Sequence, residues 1–93
     1  MSVKLTRRWK IYLWEWDADN GEYLYRDRYG EEVEAEDEEE VWKLIKKMLK
    51  DEAKRARKEG WDCELTPDVE LYCTMCDEEG CFRRIVGYDV KPA

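Results

Sequence analysis

The 93-residue chain has no histidine and no glutamine, and Asn20 is its one asparagine. Without histidine there can be no Ser-His or Cys-His pair, which excludes the commonest nucleophilic machinery. Its five glycines form no phosphate-cradling loop. No apolar run approaches the roughly 18 residues that a membrane-spanning helix needs. The basic opening up to Lys10 is not followed by an apolar stretch, so no secretory signal is read there. The expectation is a cytoplasmic protein, or one whose leader has been removed. Carboxylates are plentiful, yet nothing marks a pocket holding two of them at a chosen separation. No enzymatic activity, cofactor or metal is therefore expected.

Charge is abundant: 44% of residues are Asp, Glu, Lys or Arg, with a net charge of −7. That sign disfavours non-specific nucleic-acid binding. Few amides beside many Glu, Lys and Arg is a hyperthermophile composition, and designed helical surfaces share it. The length suits one domain over residues 1–93 with a modest core, in which aromatics supply apolar area.

Those aromatics are concentrated. The stretch Trp9 to Tyr29 holds three of the five Trp and four of the six Tyr, in two runs around Asp19-Asn20-Gly21. Asn-Gly is a hairpin-turn signal because such turns need positive φ. A first strand could begin near Val3, and Gly30 ends the second strand or introduces a bulge. Simple alternation places Tyr12, Trp14, Trp16, Tyr23, Tyr25 and Tyr29 on one face. Trp9, Ile11, Leu13, Glu15, Leu24, Arg26 and Arg28 fall on the other.

Glu31 to Glu40 reads as an acidic connector, EEVEAEDEEE, whose ordinary role is solvation. Asp37 can cap a helix, with Glu40 three residues later as in a capping box. A helix is predicted over Asp37 to Glu59. Val41, Ile45, Met48, Leu49, Glu52 and Ala56 recur at helical spacing, lysines lie opposite, and Gly60 follows as a stop. Trp61 to Asp68 reads as a connector.

Val69 to Cys76 and Cys81 to Val90 then form a second hairpin. Val69, Leu71, Cys73, Met75, Phe82, Val86 and Tyr88 share the core side, while Glu70, Tyr72, Thr74, Cys76, Cys81, Arg83 and Ile85 face away. The fold class is α+β in the order ββαββ: an antiparallel sheet of two hairpins with one amphipathic helix on one face.

The four cysteines are spaced C-x9-C-x2-C-x4-C. Three readings stand: a cross-strand disulfide between Cys76 and Cys81, with Cys63 near Cys73 or both of these free, a four-thiolate zinc site, or free thiols throughout. A regular strand points Cys73 and Cys76 to opposite faces, which favours the disulfide. The functional expectation is a small acidic protein-binding module, a viral or thermophile accessory protein or inhibitor that occupies a partner surface. Its expected contacts are Glu31, Glu32, Glu34, Glu36, Trp9 and Trp42. Two alternatives are a designed domain without natural activity and a nucleic-acid-binding sheet using Arg26, Arg28, Arg83 and Arg84.

Overall fold

In the computed structural model, which describes residues 5–93, Arg7–Asp17 (β1) and Glu22–Ala35 (β2) form the first hairpin. Val3 lies outside the described residues. Glu38–Lys58 (α1) follows, then Asp62–Leu65 (β3), Leu71–Asp77 (β4) and Gly80–Pro92 (β5). The predicted hairpin–helix–hairpin order holds. The segment read as a connector after Trp61 contributes a short extra strand, β3. All pairings are antiparallel, in the order β2-β1-β5-β4-β3. The first and last long strands are thus central neighbours, pairing from Trp9 opposite Pro92 to Asp17 opposite Arg84.

The helix forms where its periodicity and caps predict. Asp37 is the N-cap and accepts the Glu40 backbone N–H (2.9 Å), while the Glu40 carboxylate reaches back to the Glu36 N–H (2.6 Å). Such a cap is worth about 1 kcal/mol. At the other end, Trp61 N–H donates to Ala56 O and Gly60 N–H to Arg57 O, the paired bonds of a Schellman stop. Val41, Ile45, Leu49 and Ala53 are buried against Trp9, Ile11, Ala35, Cys63, Leu71 and Cys73. Full burial of one such aliphatic side chain contributes roughly 1.5–3 kcal/mol. The helix packs on β2, β3, β4 and β5 and covers one face of the sheet.

Two expectations about the first hairpin are corrected. The acidic stretch is no connector: Glu31 to Ala35 continue β2 and pair with β1 as far as Arg7 opposite Ala35. Strand β2 is also irregular. Its register against β1 shifts three times, between Ile11 and Tyr12, between Leu13 and Glu15, and between Glu15 and Trp16. The residues bulged out of the ladder are Gly30, Asp27 (φ 55°) and Leu24. Each bulge inserts one unpaired residue and reverses the later alternation. Tyr25 consequently pairs with Glu15 on the helix side rather than joining Tyr23, and Arg26 moves to the opposite face, over Tyr23.

The turn differs as well. Of Asn20 and Gly21, only Gly21 has positive φ (66°). The turn is built instead on the buried Asp17 carboxylate. It accepts the backbone N–H groups of Asp19 and Asn20 and the Asn20 side-chain amide.

Both disulfides are formed, each between directly opposed residues: Cys63–Cys73 across β3 and β4, and Cys76–Cys81 across β4 and β5. They use all four thiols, which corrects the zinc and free-thiol readings. Among the described residues no helix is long and apolar enough to cross a membrane.

Candidate functional site

The helix covers only one side of the sheet. The other side carries Tyr12, Trp14 and Trp16 from β1, Tyr23 and Tyr29 from β2, Tyr72 from β4 and Ile85 from β5. Their places follow from register: Tyr12 opposes Tyr29, Trp16 opposes both Tyr23 and Ile85, and Ile85 opposes Tyr72. Tyr23, Tyr29 and Tyr72 are 41%, 54% and 48% exposed. A sheet packed on one face ordinarily turns polar residues outward, so this uncovered aromatic surface calls for a function.

Its rings are ordered by one another. Tyr23 stands edge-on to Trp16 (centroids 4.7 Å, planes at 79°) and to Trp14 (6.1 Å, 89°), and Tyr12 edge-on to Tyr29 (6.0 Å, 71°). Trp14 opposes Gly87, and a Cβ at position 87 would collide with the indole's six-membered ring. Only glycine admits this seat. Arg26 lies over the Tyr23 ring at 4.3 Å and Lys91 over Tyr12 at 5.0 Å. A depression of about 250 Å³ opens between Trp14, Trp16, Tyr23, Glu70 and Ile85. Burial pushes the Glu70 carboxyl above its ordinary value, and the neighbouring Asp68 charge adds to the rise.

A second concavity, about 360 Å³, lies on the helix side beneath the last turns of α1. Glu15, Glu52, Arg55, Glu59, Trp61 and Arg84 line it, with Cys73 at its base. Its arginines are committed: Arg55 to Glu52, and Arg84 to Asp17 at 3.0 Å. Burial raises the Glu15 carboxyl, Arg84 opposes that rise and Glu52 adds to it. Tyr25 and Tyr88, on the same side, are likewise held above their ordinary values, chiefly by burial.

The contacts expected from the sequence do not assemble. Trp9 is 8% exposed and its indole N–H donates to the Ala35 carbonyl (3.2 Å), so it belongs to the core and is withdrawn as a partner contact. Trp42 is half-buried on the core margin, and its N–H donates to Glu38 (3.3 Å). Strand alternation divides the acids. Glu32 and Glu34 flank Arg8, at 3.9 and 3.8 Å, on the uncovered side, whereas Glu31 opposes the buried Ile11. Glu36 lies beyond the strand, where its backbone N–H joins the helix cap. Glu31, Glu32 and Glu34 occupy an edge strand, where charge and bulges obstruct pairing with another sheet.

Sequence reasoning did find Cys76 and Cys81, which are joined and exposed at the hairpin end. It placed Tyr12, Trp14, Trp16, Tyr23 and Tyr29 together but did not link them to Glu70, Ile85 and Gly87. A glycine inside a strand signals close approach by another group, and Gly87 was that signal. Comparison of the chain with protein-family models, with curated proteins and with solved structures finds no match.

Proposed function

We propose that the protein is a non-catalytic protein-binding module whose working surface is the uncovered face of the sheet. The observation carrying this reading is the presence there of Tyr12, Trp14, Trp16, Tyr23, Tyr29 and Tyr72, where a solvated face would be polar. Tyr, Trp and Arg are the residues enriched at the energetic centres of protein interfaces. A protein is favoured over a nucleic acid because the cations of this face are largely engaged with acids. Arg8 lies between Glu32 and Glu34, Arg83 pairs with Asp19, and Lys91 lies 3.9 Å from Asp27. With a net charge of −7, the long-range field draws a basic partner.

The role that fits is a viral or thermophile accessory protein or inhibitor acting by occupying its partner. Two disulfides fit either an oxidising compartment or a hyperthermophile cytosol, and the cytoplasmic reading is kept only for the latter.

Photo-crosslinking tests the reading, with the reactive group placed at position 29 or 72, or at position 47 on the outer side of the helix. One protein captured from 29 and 72 but not from 47, and lost in a Tyr12→Ser, Lys91→Ser variant that leaves both reporter positions intact, is the expected result. Capture from 47 alone, or capture unchanged in that variant, overturns it. So does retardation of a single-stranded oligonucleotide at about 50 mM salt that disappears with Tyr29→Ser and Tyr72→Ser, which would transfer the face to a nucleic acid.

A further inference from the structure

We propose that the depression between Trp14, Trp16 and Tyr23 receives the methylated ammonium group of a lysine side chain on the protein partner. The inference rests on the protein-binding reading above and names the chemistry that the face selects.

Three features of the depression carry it. The first is ring orientation. Tyr23 is nearly perpendicular to both Trp16 and Trp14, at 79° and 89°, and all three rings line one small space. Aromatic faces arranged in this way attract a quaternary ammonium through their quadrupoles.

The second is charge. Among the described residues, Glu70 is the one carboxylate lining the depression, and no Lys or Arg lines it. It stands next to Leu71, which pairs with Val86, and so lies level with Gly87 and the Trp14 seated on it. Tyr23 already accepts a cation, the Arg26 guanidinium at 4.3 Å, while Arg26 itself stays outside the depression.

The third is preorganisation. Trp14 is held by its seat on Gly87, and Trp16 by direct opposition to Tyr23 and Ile85, so little ordering remains when a ligand enters.

Methylation matters because of hydration. An unmodified lysine ammonium is compact, strongly hydrated and carries three N–H donors. Besides the Glu70 carboxylate and the Tyr23 hydroxyl, the residues lining the depression offer those donors hydrocarbon. Methyl groups remove the donors, weaken the hydration and meet the rings directly, while the positive charge is kept.

Tryptophan fluorescence titration with three otherwise identical short peptides tests this. One carries trimethyllysine, one lysine, and one the uncharged tert-butyl isostere of trimethyllysine. Trimethyllysine should bind about tenfold more tightly than either of the others. Tyr23→Leu and Glu70→Gln should each erase most of that preference, while Lys47→Ser, on the outer side of the helix, should leave it intact. Urea unfolding of each variant confirms that it is folded. Equal binding of the isostere would make the site a plain apolar groove and overturn the proposal. A preference unchanged by Tyr23→Leu and Glu70→Gln would also overturn it, as would no binding of any peptide. In each case crosslinking from positions 29 and 72 still decides the broader reading independently.

Discussion

Trp14 on β1 packs directly on Gly87 of β5, with the six-membered ring of the indole where a side chain at position 87 would begin. The contact joins the two hairpins at the sheet centre and orients an aromatic residue of the uncovered face.

Gly87→Ala should therefore destabilise the fold by about 1–3 kcal/mol, as overpacking does. The indole must move to admit the methyl group, so tryptophan fluorescence should change with it. In a Trp14→Ala background the same substitution should cost much less. Urea unfolding of the four proteins of this cycle measures the coupling. Additive effects would show that Trp14 is not seated on Gly87.

Stability should respond to acid in two opposite steps. The Asp17 carboxyl is held below its ordinary value, first by the Asn20 side-chain amide, with backbone N–H groups and Arg84 adding to this. Asp19 is lowered mainly by the Arg83 backbone N–H and guanidinium. Their contribution is present above the unfolded aspartate value and is lost as pH falls through the folded ones. Glu15 and Glu70 are raised, mainly by burial, so the folded chain binds their protons more tightly. They contribute a gain as pH falls toward the ordinary glutamate range. Urea midpoints measured across pH should rise slightly on acidification and then collapse. Glu15→Gln should raise the midpoint at neutral pH and shrink the first step.

The two disulfides should differ in protection and in effect. Cys63 and Cys73 are buried in the core beneath the helix, whereas Cys76 and Cys81 are exposed. The Cys76–Cys81 pair spans five positions in a hairpin whose register already holds its ends together. Mild reductant without denaturant should open Cys76–Cys81 first, read as a mass gain of two hydrogens and alkylation at those residues. Cys63→Ala with Cys73→Ala should lower stability by about 2–4 kcal/mol, and the Cys76, Cys81 pair by less. Simultaneous opening of both bonds would contradict this ordering.

Edge protection by the acidic strand is open to test as well. Glu32→Thr with Glu34→Thr removes two charges from the exposed edge strand and adds β-branched residues to it. Sedimentation velocity should then show concentration-dependent association. A species unchanged from the wild type would assign protection of the edge to the bulges alone.

Local chemistry determined much of this architecture before any tertiary contact was known. The helix was legible because Asp37, Glu40, the Val41–Ile45–Leu49 spacing and Gly60 act within a few residues of one another. The last hairpin was legible because alternation through Leu71, Cys73 and Val86 remains regular, which also set Cys76 opposite Cys81. Only the tertiary structure decided the faces of the first hairpin. Bulges at Leu24, Asp27 and Gly30 interrupt the pairing of β2 with β1, and each one reverses the alternation read from sequence. Burial of Trp9 and the seating of Trp14 on Gly87 depend on elements far apart in the chain, while the pairing of Cys63 with Cys73 depends on the short strand β3. The candidate site lies on the tertiary side of this division: its aromatic rings come from one hairpin, while the carboxylate and the glycine that shape it come from the other.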